Sequence, residues 1–295
     1  MRDWTLKREW IHGWLLLLPA MVFLFAFTHV PAVTTLVNSF FSTPRGRRPA
    51  KFLGLANYER MLDDPVFWKV LWNNLWFALG TIPVSIALAI LMALWVNEKL
   101  AGRGLVRMAY FTPTVLPLIA VANIWLFFYT PGFGLFDQIF STLFGSAHTN
   151  WLGDPATALN AVMVVTIWKE AGFFMIFYLA ALQAIPVSLK EAAAIEGAGR
   201  WTVFRKITFP LLMPTTLFVS VNAVINSFRL VDHIFILTNG GPDNASSLLL
   251  FYIYETAFRY WETGYAATLT VVLLFLLSAL AIGQFFFFDR KVHYK

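Results

Sequence analysis

The chain has 295 residues, of which 59% are apolar and only 13% are charged. Soluble domains average about 45–50% apolar and 25% charged residues, so a soluble fold of this length could not cover its surface with so few charges. The sequence contains no cysteine, which excludes disulfides, thiol nucleophiles and cysteine-based metal sites. This composition predicts a polytopic membrane protein.

Apolar stretches along the chain predict an all-α integral membrane fold with six transmembrane helices. A helix needs about 20 residues to cross the hydrocarbon core of a bilayer, and lipid requires every backbone polar group to bond within the helix. The first stretch continues well beyond the length of a signal-peptide core, so we interpret it as a retained helix. The predicted spans cover residues 11–37, 68–96, 107–130, 157–184, 211–237 and 264–288.

The distribution of Lys and Arg predicts the orientation of these helices. With six spans both termini lie on one side of the membrane, and every loop on that side is basic. On the opposite side the basic residues concentrate in one region, with Arg45, Arg47, Arg48 and Lys51 close together. The positive-inside rule therefore places both termini in the cytoplasm. The basic excess is an orientation signal, and nucleic acid is not an expected partner.

The predicted cytoplasmic loop 185–210 has a distinctive sequence. Ser188 and Glu191 have the spacing of a capping box, and the three alanines after Glu191 favour a helix. Gly197 and Gly199 permit the helix to end in a left-handed residue. A short amphipathic segment then leads to a proline at the start of the fifth span. The pattern predicts a helix, a glycine turn and a second helix on the cytoplasmic face.

This loop resembles the EAA loop of permease subunits of binding-protein-dependent ABC importers. The family pattern is Glu-Ala-Ala, three residues, Gly, nine residues, then Ile-x-Leu-Pro, and Phe209 here replaces the Leu. The turn at 239–242 and the tail at 289–294 resemble those of the carbohydrate and glycerol-3-phosphate-type branch. The residues that match the EAA pattern are Glu191, Ala192, Ala193, Gly197, Ile207 and Pro210.

The resemblance implies a type I ABC importer permease, the membrane-spanning subunit of an ATP-driven importer for a sugar or sugar-like solute. An anionic glycoside, a glycerol phosphate or a glycerol phosphodiester belongs to this substrate range. The implied partners are a second homologous permease, two ATP-binding subunits that dock on the EAA loop, and an extracytoplasmic solute-binding protein. The implied location is the bacterial cytoplasmic (inner) membrane, as a multi-pass protein in contact with lipid.

No catalytic or cofactor role is expected for the chain itself. The phosphate-binding pattern Gly-x-x-x-x-Gly-Lys-Ser/Thr does not occur in the sequence, and the five His residues show no metal-ligand spacing. We therefore expect no enzyme activity, cofactor or metal in this chain, and the family places ATP and Mg²⁺ on the partner subunits.

Polar residues inside the fourth and fifth predicted spans are candidates for the substrate pathway. Ionisable groups in a span are costly, so they usually face the interior of a helix bundle. Lys169 and Glu170 lie midway along the fourth span. In the fifth, Asn222, Asn226 and Arg229 follow at steps of four and three, which places them on one helical face. The resemblance also puts substrate contacts on these two helices.

The same spacing continues to His233, four residues after Arg229, on the same predicted face. Asn suits sugar hydroxyls because its amide both donates and accepts hydrogen bonds. Arg229 and Lys169 would suit a phosphate or sulfonate group. Trp125 and Phe174 could stack on a pyranose ring, but packing is the favoured interpretation for both.

Two alternatives remain open from the residues alone. The charges in the spans could form internal salt bridges, with Arg229 pairing with Asp232 or Glu170. The chain could also be a stand-alone proton-coupled secondary transporter that relays protons through Lys169, Glu170, Asp232 and His233. We detect no inverted repeat in the sequence, which opposes this second alternative, as does the EAA loop.

Overall fold

The computed structural model describes residues 2–98, 102–145 and 150–289. The tail residues 290–294 that take part in the family resemblance lie outside the described residues. Over the described residues the fold is helical, with isolated β-bridges between residues 41 and 52 and between 45 and 48 but no strand. The helices are α1 (Arg2–Leu24), α2 (Val30–Asn38), α3 (Ala56–Asp63), α4 (Pro65–Asn97), α5 (Arg103–Val115), α6 (Leu118–Tyr129), α7 (Leu135–Phe144), α8 (Ala158–Ala184), α9 (Val187–Ile195), α10 (Arg200–Val203), α11 (Phe209–Arg229), α12 (Asp232–Leu237), α13 (Leu249–Tyr254) and α14 (Thr263–Asp289).

Five helical segments in the described part of the chain are long and apolar enough to cross a membrane. A sixth is obtained if α5 and α6 are taken together as one span, although they meet at a bend of 103°. The five segments are His12–Asn38, Pro65–Asn97, Ala158–Ala184, Arg200–Leu237 and Thr263–Gln284.

The stretch expected as one helix over 107–130 is two helices in the structure. Leu116 and Pro117 both have extended backbone conformations, with ψ angles of 136° and 140°. Proline cannot donate a backbone hydrogen bond, and it disfavours the α conformation in the residue before it. The sequence around Pro117 therefore ends α5 and starts α6 in a new direction.

Two other prolines are accommodated without a break. The π-helical turn Phe25–His29 precedes Pro31, and the π-helical turn Phe204–Thr208 precedes Pro210. A proline ring clashes with the carbonyl one turn earlier in an α-helix, and a single wider turn relieves such a conflict. As a result α10 runs continuously into α11, so the predicted second segment of the loop is the first part of the following span.

The chain clusters into two compact units, Met1–Asp64 with Ile253–Leu273 and Pro65–Tyr252 with Leu274–Lys295. In the larger unit α8 packs against α4, α5 and α11. Gly172 permits the approach of α5, because a Cβ at this position would lie 2.2 Å from the carbonyl oxygen of Tyr110. Two buried apolar clusters result, one around Phe77 and Ile234 and the other around Tyr178.

The smaller unit is joined by polar contacts between α2, α3 and the beginning of α14. The Tyr265 hydroxyl donates to Oδ2 of Asp64 at 2.6 Å, and the Thr268 hydroxyl donates to the carbonyl of Ser39 at 3.1 Å. No residue in the most apolar part of the first span, His12–Asn38, is buried in the chain. The surface of this helix is therefore exposed to contact with lipid or another subunit.

Candidate functional site

Lys169 lies beside the break between α5 and α6. Its ammonium group donates to the carbonyl oxygens of Pro113, Thr114 and Leu116, at 2.9, 3.4 and 2.7 Å. The last carbonyls of a helix have no partner within the helix, and a cation at that end also interacts favourably with the helix dipole. Lys169 therefore caps the C-terminal end of α5 at a position where lipid could not supply a donor.

Glu170 and Asn226 meet between α8 and α11. The Asn226 amide donates to Oε2 of Glu170 at 3.0 Å, and the Glu170 side chain is buried. The pair borders a cavity of about 10 Å³, which also contacts Ser85 on α4. A space of this volume holds about one water molecule, so it is far too small for a sugar. In this conformation Glu170 and Asn226 form a closed polar core.

Asn222 and Arg229 lie on the side of α11 that is exposed in this chain, which is called the open side below. Asn222 is partly exposed, and its amide donates to the carbonyl of Phe218 at 2.8 Å. Arg229 is exposed, and within the described part of the chain neither it nor Asp232 has an ion-pair partner. The internal salt bridge considered for Arg229 is therefore not formed among these residues.

His233 does not continue the face of α11, contrary to its predicted spacing. The helix ends at Arg229, and Leu230 adopts an extended conformation before α12 begins at Asp232. The turn carries His233 into the core, where its imidazole is fully buried and Nε2 lies 3.1 Å from the Thr166 hydroxyl. The prediction assumed an unbroken helix, and the break separates His233 from Asn222.

The aromatic rings near this open face are not the two considered from the sequence. Phe174 and Trp125 are buried and pack inside the bundle. The rings of Phe177 and Phe218 lie instead with centroids 5.2 Å apart, and Phe218 is 51% exposed and one turn from Asn222. This pair gives the open side of α11 an aromatic wall.

Sequence reasoning missed a group of polar side chains at the beginning of α4. The Asn73 amide donates to the carbonyls of Asn244 and Ser247, at 2.8 and 2.9 Å. Asn74 is fully buried, and it donates to the Ser227 carbonyl while its Oδ1 accepts from the Leu249 backbone. These residues hold the loop that contains the Gly-Gly-Pro turn. They were missed because a search for charged residues does not detect neutral amides in an apolar stretch.

The helix of the EAA loop differs from its prediction at the N-terminus. Pro186 is the N-cap and α9 begins at Val187, so Ser188 lies within the first turn and no side chain caps the helix. The predicted capping box is therefore wrong, because Pro186 already supplies the backbone angle that starts the helix. The C-terminus follows the prediction at Gly197, whereas Gly199 has an extended conformation.

Gly197 ends α9 with a φ of +73°, and the Ala198 amide bonds back to the carbonyl of Ala193 at 2.9 Å. This arrangement is typical of helices that end in a left-handed glycine. Ala193 is the buried residue on α9, while Glu191 and Ala192 are exposed. Ile195, next to them, is 88% exposed. The helix therefore presents a surface of small and apolar residues around one carboxylate.

The long apolar helices are those of an integral membrane protein. Residues 85–294 match the family model described as binding-protein-dependent transport system inner membrane component. The chain belongs to this family, and it is a multi-pass inner-membrane permease. The alternative of a stand-alone secondary transporter is not favoured by this membership.

Similar proteins extend over almost the whole chain. The lactose transport system permease of Rhizobium radiobacter is 35% identical over 96% of both chains. The sulfoquinovosyl glycerol transport system permease of Agrobacterium fabrum is 33% identical over 90% of this chain and 85% of its own length. A subunit of a bacterial ABC transporter that imports alginate shares the fold, with a TM-score of 0.86, 23% identity, and coverage of 98% and 99% of the two chains.

Proposed function

We propose that this chain carries a sugar or sugar-like solute across the membrane as one permease of an ATP-driven importer. The relatives named for lactose and sulfoquinovosyl glycerol support this substrate class, as does a relative named for trehalose and maltose in Thermococcus litoralis. The observation that carries the proposal is the open side of α11, along which the polar residues Asn222 and Arg229 lie among exposed apolar residues.

Polar groups in a membrane-spanning helix are costly where they face lipid. Asn222 and Arg229 therefore require a water-filled pathway or a second polar subunit on their side of α11. Asn222 uses one amide hydrogen on its own helix, which leaves its oxygen and second hydrogen for a substrate hydroxyl. Arg229 would select for anionic members of the substrate class, because its guanidinium binds phosphate and sulfonate in a bidentate manner.

The rings of Phe177 and Phe218 add an apolar surface beside these polar groups. Binding sites for small molecules commonly combine apolar walls with a few polar groups that fix orientation. We assign Glu170 and Asn226 to the closed core of the pathway, from which they would separate when it opens. Lys169 contributes to the pathway by holding α5 and α6 at their break.

The exposed α9 is the proposed contact with an ATP-binding subunit. Glu191 and Ala192 would touch the partner, the buried Ala193 would face away from it, and Gly197 ends the helix. Ile207 and Pro210 lie where the loop enters α11, so movement of α9 would reach the substrate face through one continuous helix. In this mechanism ATP and Mg²⁺ bind to the partner subunits.

The proposed importer contains further proteins besides the ATP-binding subunits. A second, homologous permease would cover the open side of α11, and an extracytoplasmic binding protein would deliver the solute. Both termini of this chain would lie in the cytoplasm. The exposed His12–Asn38 helix is available for lipid contact.

Uptake by the complex reconstituted with its partner subunits tests the proposal. Lactose, trehalose, sulfoquinovosyl glycerol and glycerol 3-phosphate would be offered in separate assays, with ATP inside the vesicles or with a proton gradient alone. We expect ATP-dependent uptake of one of these classes. Uptake driven by the proton gradient without ATP-binding subunits would contradict the proposal.

The variant Asn222→Ala tests whether the open side of α11 contacts the substrate. A lost hydrogen bond to the substrate is worth about 1 kcal/mol, so we expect uptake at low solute concentration to fall by roughly five- to tenfold. Asn123→Ala is the matched control, because Asn123 is also exposed and also donates to the carbonyl four residues earlier, at 2.8 Å.

Arg229→Ala should reduce uptake of the anionic solutes most, and unchanged uptake of all solutes would remove Arg229 from the pathway.

A further inference from the structure

The basic hairpin formed by Ser42–Leu53 has no role in the function proposed above. It carries Arg45, Arg47, Arg48 and Lys51. The orientation predicted from the other loops places it outside the cytoplasm, where positive residues are normally infrequent. An accumulation of cations at this place therefore calls for a specific anionic partner.

The backbone of the hairpin places like charges opposite each other. The Ser42 amide donates to the carbonyl of Lys51 at 2.8 Å. Arg45 and Arg48 exchange two backbone hydrogen bonds, at 3.2 and 3.0 Å, around a turn in which Gly46 has a φ of +58°. Directly opposed like charges destabilise a pair of strands. An anion bound between the two guanidinium groups would remove this repulsion.

The base of the hairpin is held firmly by the rest of its compact unit. The amide of Asn57 donates to the carbonyls of Ser39 and Phe41, at 2.9 and 3.0 Å. The Gly264 backbone amide donates to the Thr43 hydroxyl at 3.0 Å. The hairpin is thus tied to α3 and to the beginning of α14, so its cations are held over one surface.

Three of these cations, Arg45, Arg48 and Lys51, border a cavity of about 290 Å³. One carboxylate in its wall, that of Glu262, is paired with Arg60 at 2.6 Å. Among the described residues no carboxylate pairs with Arg45, Arg48 or Lys51, so the cavity has a net positive charge. The residues that line it are Ser42, Thr43, Arg45, Arg48, Pro49, Lys51, Leu53, Asn57, Arg60, Glu262 and Tyr265.

The cavity lies where two apolar spans of this unit end. The first span ends at Asn38, four residues before the hairpin, and α14 begins at Thr263, directly after Glu262. The ends of membrane-spanning helices are expected near the boundary between hydrocarbon and water. Exposed apolar side chains lie in the hairpin and next to it, among them Phe52 of the hairpin, which is 70% exposed. A ligand here would meet cations at one end and an apolar surface at the other.

We propose that this cavity binds the phosphate group of an anionic phospholipid. Arginine guanidinium groups bind phosphate oxygens in pairs, and Lys and Arg residues grouped at a membrane surface attract anionic lipid head groups. A free phosphate would use the same cations but would gain nothing from the apolar surface around Phe52. The bound lipid would fix the depth of the hairpin at the membrane surface.

Native mass spectrometry of the full complex in detergent, with added dioleoylphosphatidylglycerol or dioleoylphosphatidylcholine, tests this inference. We expect the wild type to retain phosphatidylglycerol in preference to phosphatidylcholine. The double variant Arg45→Gln/Arg48→Gln should bind phosphatidylglycerol at least tenfold more weakly, since each cation near a membrane surface contributes several-fold to the affinity. Lys51→Gln provides an independent single change with a several-fold loss.

Arg47→Gln is the matched control, because Arg47 lies in the same turn and carries the same charge but does not line the cavity. It should retain the wild-type preference for phosphatidylglycerol. If Arg47→Gln lost as much affinity for phosphatidylglycerol as the double variant, the binding would depend on general surface charge, and the proposal would be overturned. Displacement of the lipid by millimolar inorganic phosphate would overturn it in favour of a soluble anion. Cross-linking of the hairpin to an acidic partner protein, with no lipid preference, would also overturn it.

Discussion

The loop 185–210 and the interior of the bundle place their polar residues by different means. In the loop, Pro186 starts α9 and Gly197 ends it, and both effects arise from the backbone of the residue itself. In the interior, Lys169 and Asn74 bond to backbone groups far away in sequence. Most residues of the loop helix are exposed, so solvent can satisfy their remaining polar groups, whereas the interior must satisfy each group with another part of the chain.

This difference has a consequence for how substitutions act. A change in the loop should alter a local turn and the contact that depends on it. A change at an interior polar residue should leave distant backbone groups unpaired and lower the stability of the whole unit. The three predictions below test this contrast, from the largest expected effect to the smallest.

Asn74→Ala should have the largest effect. It leaves both the Ser227 carbonyl and the Leu249 amide without their partner, in a fully buried environment. We expect a loss of about 3 kcal/mol in the free energy of unfolding, measured by denaturant titration of the purified complex. Asn123→Ala, at an exposed amide, should stay within about 0.5 kcal/mol of wild type. Equal losses in the two variants would remove the distinction between interior and surface amides.

Lys169→Met should come next. The substitution keeps the length of the side chain but removes the donor to three carbonyls at the end of α5. Because Lys169 is only partly buried, and because removing a charge from a span is itself favourable, we expect a loss of about 2 kcal/mol in the free energy of unfolding.

The matched control for Lys169 is Lys69→Met. The Lys69 ammonium donates to a single carbonyl, that of Asp243, and the contact is exposed. Its removal should change the free energy of unfolding by less than about 0.5 kcal/mol. Lys169→Arg retains a cation and should recover part of the lost stability. A Lys169→Met variant as stable as wild type, with unchanged uptake, would show that the ends of α5 and α6 need no cap.

Gly197→Ala should have the smallest effect on the stability of the chain, and this effect should be confined to the turn after α9. A Cβ at Gly197 would meet no atom within 4 Å, so the cost comes from the left-handed φ alone. That cost is about 1–2 kcal/mol, which corresponds to roughly tenfold weaker binding of the ATP-binding subunit if the turn must be kept for docking. Titration of the purified ATP-binding subunit onto the reconstituted permease would measure it.

Two further substitutions sharpen this test. Gly197→Asn should bind more tightly than Gly197→Ala, because Asn adopts the left-handed conformation more readily. Gly199→Ala should bind like wild type, since Gly199 has a φ of −67° and open space around it. If Gly199→Ala weakened binding as much as Gly197→Ala, the left-handed turn would not be the cause.

Much of the architecture could be read from the sequence, because its signals are local or compositional. Apolar stretches predicted a helical membrane protein, and the alanines and Gly197 predicted a helix and its end. The break at Pro117 was also visible in the residues, since proline ends helices. It was missed because prolines are common inside membrane helices that continue past them. Pro83 in α4 and Pro214 in α11 are examples in this chain.

The candidate site could be predicted only in part. Polar residues in the fourth and fifth spans were singled out as candidates, but the spacing that grouped His233 with Asn222 assumed one unbroken helix. Periodicity assigns residues to a face only while the helix continues. The structure divides the set into Lys169 at a helix end, Glu170 and Asn226 in a closed core, and Asn222 and Arg229 on an open face.

By itself the sequence determined the class of protein, the helical fold and the end of the loop helix at Gly197. Composition controls whether a chain is stable in lipid, and a proline or glycine controls the backbone where it stands. Only the tertiary structure decided which carbonyls Lys169 caps, why Asn74 is buried and which rings lie beside Asn222. Each of these depends on residues that are distant in sequence and come together when the helices pack, because a buried polar group must find its partner wherever the fold places one.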